Sequence, residues 1–192
     1  MKKLSTYLFL ILFSSSAPSF ADDISDFQIE GMSIGASLLD SFSEEEISKN
    51  VTSYFDNDHE YMSVEFVKLK SFKTYEHVVI GFKRVDQNFI IESITGVIFT
   101  NRMTECKKLQ NNIDKEISVM LNNTDKKENN DDHNFDPTGE SKTKAINHWF
   151  NNNDLITIIC TDWSDAITNK FGWTDNLSVE LKTKEYNDKL YQ

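Results

Sequence analysis

Hydrophobic and polar positions follow two successive patterns between residues 88 and 123. The first is a run of β-branched and aromatic residues that predicts a long strand, with apolar members Phe89, Ile90, Ile91, Ile94, Val97, Ile98 and Phe99. After Thr100 the apolar spacing changes to steps of three and four. This spacing predicts a long amphipathic helix with a buried stripe of Cys106, Leu109, Ile113, Ile117 and Met120. A strand that leads directly into a helix is therefore the organising unit of the chain.

Four further segments have the alternation or the short β-branched runs that are typical of strands. They lie at residues 61–70, 75–83, 155–160 and 177–181. Helices are predicted at 37–50, where Ser37 and Ser43 each stand three positions before an acidic residue as in a capping box, and at 141–151. Short polar connections between strands favour an antiparallel meander. The pattern predicts a single α+β domain over 22–192, with helices packed on one face of an antiparallel sheet.

Residues 122–136 (NNTDKKENNDDHNFD) contain almost no apolar side chains and carry mixed charge. Such a segment has little apolar surface to bury in return for the conformational entropy that ordering costs. We therefore expect a mobile acidic loop at 122–136.

The first 21 residues have the features of an export signal. Lys2 and Lys3 form a basic start, residues 4–13 an apolar core, and Ser19-Phe20-Ala21 a small-x-small cleavage site. The apolar core is shorter than the roughly 20 residues that span a bilayer, and no cysteine closely follows the cleavage site. The sequence predicts a soluble periplasmic or secreted protein without a stable membrane anchor.

The charge of the chain limits its partners. The formal net charge is -11 with a pI near 4.8, and removal of Lys2 and Lys3 with the signal takes the charge to -13. Nucleic acids and anionic lipids bind surfaces on which Lys or Arg contacts phosphate groups. We therefore expect neither as a partner.

The chain has two cysteines, Cys106 on the predicted helix and Cys160 at the end of a predicted strand. Both positions face the predicted core, and an exported protein folds in an oxidising compartment, so the pair predicts one disulfide. On the chain-entropy model this loop closure stabilises the fold by about 4 kcal/mol. A free buried pair is the alternative. The absence of a C-x-x-C spacing argues against a redox-active pair.

Gly31-Met32-Ser33-Ile34-Gly35 fits the G-x-S-x-G pattern that exposes a nucleophilic serine in α/β-hydrolases. A histidine such as His148 lies downstream in the required order. However, the motif lies too close to the predicted mature N-terminus for the strands that normally precede it, and the remaining chain does not show βαβ units. The glycines more simply allow a tight turn, so no catalytic residue is assigned.

Two acidic segments have oxygen ligands in patterns that resemble calcium loops. They are Asp56-x-Asp58-x-Glu60 and the group Asp131, Asp132, Asn134, Asp136 and Glu140. Neither has the turn glycine and distal glutamate of an EF-hand, so solvated loops are the simpler interpretation, with weak calcium binding as the alternative. The histidines His59, His77, His133 and His148 lack zinc-ligand spacing. The sequence predicts no metal site and no cofactor.

Trp163, Phe171 and Trp173 are concentrated in a turn-rich segment near the C-terminus. Packing over the end of the sheet is one interpretation. The other is that exposed rings stack on sugars or anchor a peptide. Tyr75 and His77 lie on the face of their predicted strand opposite Val78, Ile80 and Phe82, either exposed or packed at an edge.

Two blocks of the chain, DFQIEGMSIGASLLDSFSEEEI and CTDWSDAITNKFGWTDNLSVEL, resemble small exported proteins of marine bacteria. The resemblance covers most of the mature chain and implies no activity, ligand or catalytic residue. The N-terminal order of glycine, Met, Ser and a short helix is also similar to BamE-like small α/β modules. Their lipid-attachment cysteine has no counterpart after Ala21.

Taken together, these patterns predict an exported binding or accessory domain for a protein or small-ligand partner. The alternative is a small exported hydrolase that uses Ser33 or an acidic site.

The predicted pairing of Cys106 with Cys160 is testable by alkylation. Treatment of the mature protein with a maleimide after unfolding, but without reduction, should add no label, because no thiol is free. Reduction before alkylation should add two labels, which mass spectrometry resolves. Labelling of the unreduced protein would contradict the pairing.

Overall fold

The computed structural model of the protein describes residues 21–52, 60–121 and 123–190. Most of the predicted signal at 1–21 therefore lies outside the described residues, as does most of the acidic pattern at 56–60. The helices are α1 (Glu44–Lys49), α2 (Met103–Met120), α3 (Asp165–Phe171) and α4 (Lys184–Leu190). The strands are β1 (Val51–Thr52), β2 (Tyr61–Val67), β3 (His77–Lys83), β4 (Ile91–Phe99), β5 (Asp125–Asp132), β6 (Lys142–Trp149), β7 (Leu155–Asp162) and β8 (Asn176–Lys182). None of the described helices combines the length and the apolar character needed to cross a membrane.

The eight strands form one antiparallel sheet in the order β1-β2-β3-β4-β8-β7-β6-β5. Each half is a four-stranded meander, and the last strands of the two halves, β4 and β8, pair at the centre. The predicted α+β class and the antiparallel sheet are confirmed, although the sheet dominates the structure. The strand-to-helix unit is also confirmed as β4 and α2.

One face of the sheet carries the main apolar core. Alternate residues of the central strands point to it, including Ile80, Ile94, Ile158 and Val179, all essentially inaccessible to solvent. Helix α2 packs on this face over β7 and β8. Its buried Cys106 is bonded to Cys160 of β7, with an S–S distance of 1.99 Å. The disulfide predicted from the sequence is therefore confirmed, and it joins the first turns of α2 to the sheet.

The chain before β1 covers the other half of the same face. Its apolar residues Ile24, Phe27, Ile29, Met32, Leu38 and Ile47 are buried in the core. Glu30 fixes this segment because its carboxylate accepts hydrogen bonds from the backbone N–H groups of Lys73, Thr74 and Tyr75 at 2.8–2.9 Å. Tyr75 packs directly on Gly96 of β4, where a Cβ atom would lie 2.6 Å from the ring. Tyr75 is thus a core residue.

Two predictions for the second half of the chain are wrong. The segment 122–136, expected to be a mobile acidic loop, contains edge strand β5, which pairs with β6 through eight residue pairs. The helix expected at 141–151 is strand β6, in which Ile146 and His148 are buried. The first prediction relied on composition. An edge strand is held by backbone hydrogen bonds, however, and polar residues form these as readily as apolar residues do. In the second, the period of two was obscured because His148 is a polar residue at a buried position.

The sequence predicted that the helices pack on one face of the sheet, and this prediction is wrong. Tyr186 of α4 packs against Gly81 and forms an edge contact with Tyr61 at 4.9 Å between ring centroids. Gly81 and Tyr61 point away from the main core, because they alternate with the core residues Ile80 and Met62. Helix α4 therefore covers part of the second face of the sheet.

A buried polar group connects α2 to the second meander. Asp114 of α2 accepts from Lys126 Nζ of β5 at 2.7 Å, and its other carboxylate oxygen lies 2.9 Å from His148 Nε2 of β6. Burial raises the pKa of Asp114, but Lys126 and His148 together outweigh it, so the pKa is lowered overall. Burial lowers the pKa of His148 despite the neighbouring carboxylate. His148 is 2% exposed and is therefore held neutral inside the protein near neutral pH.

The free energy of unfolding should decrease as the pH falls below about 6.5, the ordinary pKa of histidine. The reason is that the unfolded chain binds a proton on His148 more readily than the folded chain does. Urea unfolding midpoints measured between about pH 5 and pH 7 should fall with pH, and H148Q should reduce that slope. His133 also has a lowered pKa and should account for part of the remaining slope. An identical pH dependence in the parent and in H148Q would contradict this assignment.

Candidate aromatic binding site

Five aromatic side chains meet at the end of the sheet where β5 turns into β6. His133 and Phe135 come from that turn, Trp163 follows β7 directly, and Phe171 and Trp173 lie at and just beyond the end of α3. We call these five residues the aromatic cluster. The sequence singled out Trp163, Phe171 and Trp173, and the structure brings all three together.

The rings of the aromatic cluster form a continuous chain of contacts. His133 lies over Trp163 with 4.2 Å between centroids, and Trp163 makes an edge contact with Trp173 at 4.7 Å. Phe135 contacts Trp173 at 4.6 Å and Phe171 at 5.4 Å. Apart from the closer His133–Trp163 pair, these separations are within the range in which aromatic pairs attract each other beyond the burial of their area. The rings therefore support one another in a defined arrangement.

The ends of α3 explain how Phe171 and Trp173 are positioned. The helix begins at Ser164, whose Oγ accepts from Ile167 N–H, and it ends at Gly172 in the left-handed conformation with φ of 73°. A glycine adopts this conformation without the strain that a Cβ atom would add. The reversal places Trp173 against Phe171, 5.3 Å between centroids.

Asp136 holds the β5–β6 turn against α3. Its carboxylate accepts five hydrogen bonds, from the N–H and hydroxyl groups of Thr138 and Ser141 and from the hydroxyl of Ser164. These donors, Ser141 first and then Thr138, hold the pKa of Asp136 far below its ordinary value. Because Ser164 is the N-cap of α3, one carboxylate fixes both elements that carry the rings.

The aromatic cluster is open to solvent on one side. Phe135 is 48% exposed and Phe171 is 42% exposed, whereas Trp163 and Trp173 are half-buried beneath them. The ammonium group of Lys170 lies 4.8 Å above the centroid of the Phe171 ring. The tryptophans therefore pack over the sheet end, while the phenylalanines face water; a binding role for the exposed rings stays a prediction.

The chain around the aromatic cluster is acidic. The two segments that carry the rings, 131–140 and 161–176, contain seven acidic residues and one lysine. The pKa of Asp162 is raised by its burial and by the adjacent Asp175, whose carboxylate accepts from the backbone N–H of Trp163 at 2.9 Å. Lys142 pairs with Asp132 at 2.6 Å, and Lys107 partly offsets the charge effects on Asp162, but an excess of negative charge remains. A negative surface therefore surrounds the electron-rich faces of exposed rings.

The other candidate residues do not assemble into a site. Ser33 lies half-buried in a turn between Gly31 and Gly35, both at positive φ, and no hydrogen bond joins it to a histidine among the described residues. His148 instead faces Asp114, and His77 pairs with Glu65. The acidic group at 131–140 uses Asp136 and Asp132 for internal contacts. Within 21–52, 60–121 and 123–190, no cluster of three or more His, Cys, Asp or Glu side chains has the arrangement of a metal site.

Sequence reasoning missed His133 and Phe135, because both fell in the segment interpreted as a loop. Phe135 was the one signal available, as the single aromatic residue in a polar run. Comparison with known proteins shows no match to a family model, a curated protein or a solved structure, so the two resemblances stay predictions.

Replacement of Asp136 by asparagine should loosen the aromatic cluster. The asparagine amide has an N–H group in place of one carboxylate oxygen. This group would face an N–H or O–H donor that now bonds to the carboxylate, so that hydrogen bond would be lost. D136N should lower the melting temperature and shift tryptophan fluorescence to longer wavelength, since Trp163 and Trp173 become more exposed. The control is D125N, which removes an exposed carboxylate from the same hairpin and should change neither quantity. Equal behaviour of the two variants would contradict the role of Asp136.

Proposed function

We propose that the protein is an exported, non-enzymatic binding domain that captures a basic segment of a partner protein on the aromatic cluster. The observation that carries the proposal is the exposure of Phe135 and Phe171 on a firmly held base within an acidic surface. Exposed aromatic side chains of this kind commonly anchor protein partners.

Two features favour a cationic partner. The face of an aromatic ring attracts ammonium and guanidinium groups, with about 0.5–1 kcal/mol per exposed contact and more where water is excluded. Lys170 already makes such a contact with Phe171 from within the chain. In addition, a formal charge of -11 over the whole chain attracts basic partners at long range and speeds their association.

A peptide segment fits better than a small molecule at this place. The aromatic cluster is a group of rings at the end of the sheet, and its exposed anchors Phe135 and Phe171 lie on two separate elements, the β5–β6 turn and α3. Such a surface gives several adjacent anchor points, which suit successive side chains of an extended segment. An arginine-containing segment can stack its guanidinium planes on the rings and pair with the surrounding carboxylates.

The proposed compartment is the periplasm or the extracellular space. The signal-like features of residues 1–21 and the Cys106–Cys160 disulfide support it, because structural disulfides persist in oxidising compartments. Nothing at Ser33 favours the hydrolase alternative, since the hydrogen bonds of the described residues supply it with no base.

Removal of one exposed ring should weaken binding of a short arginine-rich synthetic peptide, followed by tryptophan fluorescence. F171A should reduce the affinity about tenfold, consistent with a cation–π contact in a partly desolvated site. The fold should persist, because Phe171 lies at the surface. L39A is the matched control, since Leu39 is an exposed apolar residue of the N-terminal segment. Equal affinity of F171A and L39A would contradict the proposal, as would equal binding of the same peptide with citrulline in place of arginine.

Lys170 should act as a built-in competitor for the Phe171 face. K170Q removes the internal cation and makes the surrounding surface more negative, so it should bind the arginine-rich peptide several-fold more tightly. K49Q serves as the control, because Lys49 is an exposed lysine of α1 that pairs with Glu45, away from the aromatic cluster. Titration at low and moderate salt should show the K170Q gain decreasing as salt increases. An unchanged or lower affinity in K170Q would contradict competition at this ring.

A further inference from the structure

The second face of the sheet, opposite α2, contains a depression of about 360 Å³ over β5 to β8. It lies against Asn187 in the middle of α4 and is far from the aromatic cluster. Its centre is near Asn147 of β6, whereas the cluster lies beyond Lys142 at the other end of that strand. The separation along β6 is on the order of 20 Å. The depression is therefore an independent site, at the lower end of the roughly 300–1,000 Å³ that small-ligand pockets occupy.

Strand register explains why the depression exists. Asn129, Ala145 and Ile159 are directly opposite one another on β5, β6 and β7, and all three point to the second face. Ala145 is the small residue in the middle of this row, so a hollow opens above it. The half-buried indole of Trp149 lies on the same face of β6 and borders the hollow.

The polar groups of the depression are mainly neutral. Thr157 Oγ1 donates to Asn147 Oδ1 at 3.1 Å, which fixes the orientation of that amide. Asn129 Oδ1 is buried and accepts no hydrogen bond from the described residues. A buried acceptor without a donor costs free energy, and a rotation of the Asn129 amide toward the depression would let a ligand hydroxyl supply the missing donor.

Two of the three charged groups of the depression neutralise each other. Glu180 and Lys182 form an ion pair at 2.5 Å, with 15% and 10% of their side chains exposed. Glu180 also accepts from Ser178 Oγ at 3.5 Å. The other charged group of the lining, Lys127, lies at the exposed edge strand and is solvated. A charged ligand would therefore have to break a buried pair to find a partner, whereas a neutral ligand leaves that pair intact.

We infer that this depression binds a neutral saccharide of mono- or disaccharide size. The indole of Trp149 offers a flat apolar surface for the C–H face of a pyranose ring, as aromatic side chains do for ligands that have one apolar face. The Asn147 amide already bonds to Thr157 through Oδ1 and to the Lys127 carbonyl through Nδ2, so its second N–H is the group left for a ligand. Asn129 and the Thr157 hydroxyl oxygen add polar groups in the spacing of adjacent strands. The shallow site predicts weak, millimolar binding.

The experiment uses the whole mature protein, with its three tryptophan indole N–H signals resolved by NMR. Glucose, maltose, cellobiose and chitobiose are titrated as neutral probes, and glucuronate and glucosamine as charged probes. At least one neutral sugar should shift the Trp149 signal while the signals of Trp163 and Trp173 stay in place. Absence of any shift with all four neutral sugars, shifts only with the charged probes, or shifts confined to Trp163 and Trp173 would each overturn the inference.

Variants then test the named contacts. W149L should abolish the binding, and N129A should weaken it several-fold, because the acceptor for a ligand hydroxyl is lost. Asn129 lies on the edge strand, so N129A should fold even if W149L does not, and it then tests the site by itself. K127Q is the matched control at the rim and should leave the binding unchanged. Full binding by N129A would overturn the assignment, and failure of the arginine-peptide experiment would leave this inference unaffected, since the two sites share no residue.

Discussion

The pairing of β4 with β8 is the interaction on which the rest of the structure depends. Seven residue pairs join Ser93–Phe99 to Asn176–Lys182, and they fuse two meanders into one sheet. Each meander alone has two edge strands with unpaired backbone groups. The pairing of β4 with β8 removes one edge from each meander, and both would otherwise be available for pairing with other chains. Its partners are far apart in sequence, and such contacts are entropically costly to form. Helix α2 and the disulfide reduce this cost, because they tie the end of the first meander to β7, next to β8.

Buried polar groups position the second meander around this seam. Gln110 of α2 donates to the carbonyl groups of Lys144 and Ile158, both at 2.7 Å, and Asp114 binds Lys126 and His148 one turn later. These contacts hold β5, β6 and β7 to a single helix by directional bonds. Directional polar contacts of this kind specify one register, whereas apolar packing alone tolerates shifts. The edge strand β5 is thereby fixed even though its own side chains are almost all polar and exposed.

The two proposed sites both depend on that ordered second meander. The aromatic cluster stands at one end of β6, on a turn held by Asp136, and it presents rings within a negative surface. The depression lies toward the other end, on the face away from α2, and presents amides beside a neutralised ion pair. Their chemistry differs accordingly. The first suits cations that come from a protein, and the second suits uncharged hydroxyl groups.

The sequence by itself determined the strands with clear alternation, the amphipathic helix α2 and the cysteine pairing, because apolar periodicity and two cysteines leave few alternatives. It also marked Trp163, Phe171 and Trp173. It did not determine β5, since the stability of an edge strand comes from backbone hydrogen bonds to a neighbour that the side chains do not encode. It did not determine β6 either, because the buried His148 hides the period of two in that strand. Only the tertiary structure brought His133 and Phe135 to the tryptophans, through the Asp136 hydrogen bonds between distant segments. It alone also placed Asn129 opposite Ala145, because register across strands is decided by the whole sheet and not by any one segment.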